Sequence, residues 1–406
     1  MAPRTRGAQP ISRTDIDVYY DPYDVELNAD PYPMFRRIRE EAPLYFNDRH
    51  GFYALNRYDA YHDHETFSSA RGAVLEIIQS GMDIPSGTLI FEDPPIHNIH
   101  RKLLSRIFTP RKVAALEPKI REFTASCLDP LIGTGRFDFV SDLGAQMPMK
   151  VIGMLLGIPE ADQQHVVDHG DSTLRTERGG KMTENPDGVI ATGEVFASYI
   201  DWRAEHPSDD IMTELLTAEF ADETGATRRL SRDELLLYLQ VIATAGSETT
   251  TRLLGWAGKV LAEHPDQRRD LVANRTLLPL AIEELLRFEP PAPHVSRYVT
   301  RDVEYYDQAV CAGSALMLIV GAANRDPRRF GEDSEQFNIH REPLQHLAFG
   351  VGTHFCLGNA LARLEGRIAL DEILDRFPEW QVDLTDAQLS PTSTVRGWES
   401  MPAVLP

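Results

Sequence analysis

AFGVGTHFCLGNALARLEGRIAL, residues 348–370, joins a glycine-rich loop to a helix and sets a cysteine at the junction. From Leu357 onward the apolar residues Leu357, Leu361, Leu364 and Ile368 recur at the spacing of one helical face. Cys356 is therefore expected at the amino end of that helix. There the free backbone N–H groups and the positive end of the helix dipole favour a thiolate. Gly350 and Gly352 let the loop bend where a side chain would clash, and Gly358 lets a flat group approach closely. The only other cysteines are Cys127 and Cys311, and no CxxC spacing occurs, so neither a disulfide framework nor a zinc site is indicated.

The chain around this stretch has 406 residues, 42% hydrophobic and 25% charged, an ordinary balance for a folded enzyme. No linker, charge block or internal repeat divides it. One domain over residues 1–406 is expected, with residues 1–15 a flexible amino-terminal tail. Its 41 basic and 62 acidic side chains leave a net charge of −21, which opposes attraction to nucleic acid or anionic lipid. The amino terminus lacks the apolar stretch of a signal peptide, and the longest apolar run, ALMLIVGAA at 315–323, is less than half a membrane span. A cytoplasmic protein with no membrane anchor and no nucleic-acid partner is expected.

Periodicity predicts helices over 31–43 and 96–108 and strands over 51–58 and 315–323, hence a mainly helical body with small sheets to one side. The clearest helix runs from Ser231 to His264. It opens on a capping box, Ser231 with Glu234, and stops before Pro265. Residues LLLYLQVIA, 235–243, are apolar on nearly every face, so this helix is expected at the centre. Within it, ATAGSETTT at 243–251 places poor helix formers where a local reason is needed. One ordinary reason is that Ser247, Thr249 and Thr250 bond back to the carbonyl four residues earlier.

FGVGTHFCLG, residues 349–358, fills every fixed position of the haem-binding signature of the cytochrome P-450 family, and the chain resembles that family over almost its whole length. The resemblance implies the mainly α P-450 fold and haem b (iron protoporphyrin IX), with Cys356 as the thiolate ligand of the iron. It places Phe349 beside the sulfur, Gly350 and Gly358 in the haem loop, and His354 at a propionate. Ala245–Thr249 is similar to the family's oxygen-activation motif, in which a helix distortion makes room for dioxygen. Glu248 and Thr249 are then the catalytic pair that carries protons inward. Val241 and Ala245, on the same face as Thr249, are expected to border the substrate with Leu89, Ile90, Ala292 and Val295. Glu284 and Arg287 resemble the family's ExxR pair, completed by Arg341 of FNIHR as a structural cluster. His97 and Arg101 of HNIHR would share one propionate, and Arg297 of HVSRY would contact the other.

The implied activity is that of a soluble class I monooxygenase inserting one oxygen atom of dioxygen into a lipophilic fatty acyl, terpenoid or steroid-like substrate. With only fifty residues after Cys356, electrons are expected from a separate ferredoxin served by a NAD(P)H-dependent reductase. A basic patch of Lys102, Arg106, Arg111, Lys112, Arg363 and Arg367 is the expected docking face for it. A peroxide-driven or rearranging haem-thiolate enzyme, or a non-catalytic haem sensor, remains an alternative. The regions 60–95 and 160–210 carry the weakest resemblance, and they usually shape the substrate pocket.

Overall fold

The computed structural model describes residues 18–58, 63–85, 87–163, 194–391 and 394–406. The expected tail, residues 1–15, lies outside them, as do residues 164–193 of the stretch 160–210. Seven helices frame the region of interest: α1 (Tyr32–Glu41), α2 (Ile96–Ser105), α3 (Glu117–Leu128), α4 (Met147–Leu156), α5 (Arg232–Glu263), α6 (Leu278–Phe288) and α7 (Asn359–Arg376).

Helix α5 is the axis of the core. Its capping box forms: Ser231 Oγ accepts the Glu234 N–H at 3.2 Å, and the Glu234 carboxylate accepts the Ser231 N–H at 2.8 Å. With 32 residues it spans about 48 Å. Every residue from Thr250 to Gly258 is buried, packed among α4, α7 and the segment Phe139–Gly144. The buried indole of Trp380 donates to the Gly258 carbonyl at 2.9 Å, so this large side chain enters the core without an orphaned polar atom.

A five-stranded sheet flanks the helices, built from β1 (Leu44–Asn47), β2 (Phe52–Leu55), β3 (Phe67–Ser68), β4 (Val295–Val299) and β5 (Ala315–Leu318) in the order β1-β2-β5-β4-β3. Strand β5 runs parallel to β2, with Ala315 opposite Phe52, and antiparallel to β4, with Leu318 opposite Val295. All four of its residues are buried, as a central strand covered on both faces requires. The remaining described sheets have two or three strands each.

Several expected boundaries shift: the helices expected over 31–43 and 96–108 end at Glu41 and Ser105, and the strand expected over 51–58 ends at Leu55. The apolar run 315–323 is a strand only to Leu318, and Val320–Ala323 turns into a short helix. Gly321 and the two alanines have little strand preference, and a Cβ at Gly321 would lie 2.7 Å from the Phe35 ring of α1. Helix α7 starts at Asn359 rather than Leu357, because the Asn359 side chain takes the Cys356 carbonyl at 2.7 Å and holds 356–358 in a turn. No helix among the described residues is long and apolar enough to cross a membrane.

Candidate active site

The loop before α7 brings Cys356 to the wall of a cavity of about 410 Å³ that is bounded also by α2, α5 and β4. Gly350 and Gly352 adopt φ of 69° and 65°, a region strained for any residue with a Cβ, and at Gly352 a Cβ would also strike the His64 ring. The loop closes where the Cys356 N–H donates to the Phe349 carbonyl at 2.7 Å. Burial pushes the Cys356 thiol up, while the Gly358 N–H and the charges of Arg101 and Arg363 pull it down. Phe349 lines the cavity and carries the Arg363 guanidinium 4.4 Å above its ring. Gly358 also lines the cavity, with nothing within 4 Å of the place a Cβ would occupy, so a flat group has an open approach there.

His97, Arg101, Arg297 and His354 converge on this cavity. The His97 and His354 rings lie 4.3 Å apart. His97 is fully buried, and neither of its ring nitrogens, nor Nε2 of His354, meets a hydrogen-bond partner among the described residues. Burial brings Arg297 down to about 10, and burial followed by the charges of His97 and Arg297 brings His354 down to about 3. Burial also lowers His97 and Arg101. Arg101 differs from the expected pairing with His97 in one respect: its Nη2 donates to the Phe355 carbonyl at 2.5 Å, bracing the cysteine loop. Four basic groups that form no ion pair among the described residues suit a cavity completed by anionic oxygens.

Helix α5 forms the facing wall. Val241, Ala245 and Thr249 line the cavity, as do Leu89, Ile90, Ala292 and Val295, so the six expected pocket residues share one space. Leu89 is buried, and Ile90, 43% exposed, stands at the rim. The helix runs through this region without a break, contrary to the expected distortion. Thr249 Oγ1 donates to the Ala245 carbonyl and Ser247 Oγ to that of Ala243, both at 2.8 Å, and a Cβ at Gly246 would lie 2.6 Å from Ile152. Gly246 thus serves the close packing of α4 on α5.

Glu248 stands apart from the cavity that Thr249 faces. It is buried in an ion pair with Arg252, one turn onward, and does not line the cavity. Successive helical positions are turned by about 100°, so the neighbour of a cavity-facing threonine points to the flank. The carboxyl that does line the cavity is Glu365 of α7, 1% exposed. Thr250 Oγ1 donates to its Oε2 at 3.2 Å, and Oε1 has no partner among the described residues. Burial lifts this carboxyl to about 8, against the Thr250 hydrogen bond that lowers it. Its signal was present: Glu365 follows Leu361 by four and precedes Ile368 by three, a charge inside the apolar stripe.

Beneath the loop, Glu284 accepts from Arg287 Nε and Nη2 at 2.7 Å each, from the Asn338 N–H at 2.9 Å and from Arg341 Nε at 3.3 Å. Arg287 also donates to the carbonyls of Asn324, Ser334 and Gln336. Glu283, adjacent on α6, turns the other way and binds Arg363 at 2.5 and 3.0 Å and His346 at 3.2 Å. One turn of α6 thus grips the chain on both sides of Cys356.

The family model for Cytochrome P450 matches residues 194–398. Over 397 residues, 96% of this chain and 97% of the relative, the sequence is 35% identical to the putative cytochrome P450 123 of Mycobacterium tuberculosis (strain ATCC 25618 / H37Rv). The chain belongs to the cytochrome P450 family. It is also 35% identical to the steroid C26-monooxygenase of the same strain, over 91% of this chain and 92% of the relative. Among solved structures, P450BioI in complex with hexadec-9Z-enoic acid ligated acyl carrier protein superposes with a TM-score of 0.82 at 26% identity, covering 94% of this chain and all of that one. The helical body with small separate sheets is the P450 architecture. P450 proteins bind haem b through a cysteine thiolate and are monooxygenases, and the residues here fit that group. Two propionates match basic side chains whose His97 and His354 nitrogens meet no hydrogen-bond partner among the described residues, and a flat macrocycle matches the open face of Gly358 beside Cys356.

Proposed function

We propose that this P450 hydroxylates a lipophilic molecule of the fatty acyl, terpenoid or steroid class, with Cys356 as the thiolate ligand. The observation that carries this reading is that Cys356, the basic set and the Thr249 hydroxyl all meet one apolar cavity of about 410 Å³. Haem, when bound, supplies the iron at which dioxygen is activated and one oxygen atom is passed to a C–H bond. His97, Arg101, Arg297 and His354 hold the propionates and close the charge of the cavity. Thr249 presents a hydroxyl to the cavity while its own proton rests on the Ala245 carbonyl. Glu365, lifted to about 8, keeps a proton at its carboxyl at neutral pH, with the Thr250 hydroxyl against it. This makes Glu365 the internal acid in place of Glu248. Relatives described as a steroid C26-monooxygenase and as a complex with a hexadecenoic acyl chain support a lipophilic substrate.

Electrons are supplied by a ferredoxin with its NAD(P)H-dependent reductase, docking on Lys102, Arg106 and Arg111. These three side chains are exposed and enter no ion pair among the described residues. The rest of the expected patch is engaged: Lys112 with Glu214 and Arg367 with Glu117, each at 2.7 Å, and Arg363 with Glu283. The test is Cys356→Ser. The parent, reduced under carbon monoxide, should show the absorption band of thiolate-ligated haem and form hydroxylated product carrying oxygen from labelled dioxygen, and the variant should do neither. A retained thiolate band would overturn the assignment.

A further inference from the structure

A second cavity, of about 200 Å³, adjoins the first and shares Ala292 and Val295 in its walls. Along β4 the side chains alternate: Val295 and Arg297 line the main cavity, and Ser296 between them lines only the side cavity. Ser296 is 1% exposed, and its Oγ finds no hydrogen-bond partner among the described residues. Thr394 Oγ1, supplied by the carboxy-terminal segment, lines the same space and is also buried without a hydrogen-bond partner among the described residues. Buried hydroxyls are rarely left unbonded in folded proteins, and nothing in the hydroxylation chemistry above uses either one.

The charge of the side cavity narrows what it accepts. Neither lysine nor arginine is among the described residues that line it, and its titratable side chains there are Glu76, hydrogen-bonded by Tyr23, and His294. A carboxylate or phosphate would meet the like charge of Glu76 with no lysine or arginine to offset it, and the single imidazole of His294 balances at most Glu76 itself. A hydroxyl or carbonyl oxygen meets two O–H groups that lack acceptors.

We propose that this side cavity is a subsite for a neutral hydroxyl or carbonyl oxygen at the end of the substrate remote from the carbon that is oxidised, with Ser296 as its principal donor and Thr394 as its second partner. The inference rests on the main cavity accepting a lipophilic substrate. It adds an orientation: a molecule with one oxygenated end lies with that end behind β4 and its hydrocarbon end toward Cys356. Oxidation then falls far from the oxygen already present.

The test is an optical titration of the haem-loaded enzyme with 5α-androstan-3-one and with 5α-androstane, which lacks the oxygen. Ser296→Ala removes the hydroxyl and keeps the strand's backbone bonds, such as the Ser296 N–H to the Ala73 carbonyl at 2.8 Å. The expected result is a Kd for the ketone raised about 5- to 10-fold with that for the hydrocarbon unchanged, the worth of one lost hydrogen bond. Thr394→Ala should give a smaller loss in the same direction, and it serves as the test if Ser296→Ala takes up no haem. Equal changes for the two steroids, or none for the ketone, would overturn the subsite. So would cyclohexanone filling the side cavity without competing with the ketone, since the oxygen would then belong to a separate small molecule. If neither steroid perturbs the haem spectrum, dodecan-2-one and dodecane replace them. A response to none of the four refutes the lipophilic reading itself, whereas a response indifferent to Ser296→Ala refutes only the subsite.

Discussion

Glu284→Ala removes a carboxylate that takes four hydrogen bonds, all from Arg287, Arg341 and the Asn338 backbone. At about 1.5–3 kcal/mol for each bond to a charged group, a simple sum would be about 6–12 kcal/mol. That sum is too large, because the burial cost of Glu284 itself disappears with it, and Arg287 keeps its three carbonyl acceptors. Removing one partner of a buried ion pair costs about 3–5 kcal/mol, and the remaining carbonyls place this case within that range. For 406 residues the unfolding entropy is about 0.85 kcal/mol per degree, so Tm should fall by about 4–6 °C. The assay is thermal unfolding of haem-loaded protein, with the yield of the thiolate band after expression as a second readout. Glu284→Gln, which retains the shape, should give the same loss within about 1 kcal/mol, because the arginines still lose their counter-charge. A fall below 1 °C in both variants at full haem content would refute the claim that this cluster supports the cysteine loop.

Thr249→Ala should leave haem and substrate binding intact while product per electron falls and peroxide rises. Coupling equal to the parent would remove Thr249 from proton handling. Against the burial that raises it, hydrogen bonds from His346 and Arg363 hold Glu283 at about 2, below its usual 4.5. The stabilisation, at most about 3 kcal/mol, should be complete above pH 4.5 and lost as pH falls toward 2. In urea titrations the stability gap between parent and Glu283→Gln should accordingly narrow below pH 4.5, and a gap independent of pH would contradict the pairing. Charge reversal at Lys102 and Arg106 should slow ferredoxin-dependent reduction about tenfold at low ionic strength, with the defect shrinking as salt rises, as stopped-flow measurements would detect.

Local pattern and capping chemistry identify α5 because its signals lie within a few residues of one another. The Ser231 box, the apolar run and Pro265 need no knowledge of the rest of the chain. The strand at 315–323 was overextended because a short apolar run does not register where branched residues give way to Gly321 and two alanines. Glu284, Arg287 and Arg341 were grouped by resemblance, since their union crosses more than fifty residues and leaves no periodic trace. The same separation hid the Glu283–Arg363 pair and the side cavity behind β4. The position of Glu248 on the flank of α5 is signalled by Arg252, four residues on, with which it pairs. Glu365 carries no local signal that ties it to the threonines, because it comes from the helix that follows the cysteine and meets Thr250 only in the folded chain.

The basic side chains around the cavity have one more consequence. A chain without haem must bury His97, whose ring nitrogens meet no hydrogen-bond partner among the described residues, and the Arg297 guanidinium, which donates to the Ser296 carbonyl at 2.8 Å. Whatever binds only the folded form adds its binding free energy to folding, so a haem held by these groups stabilises the folded chain. The haem-free protein should therefore unfold, and be proteolysed, more readily than the loaded one.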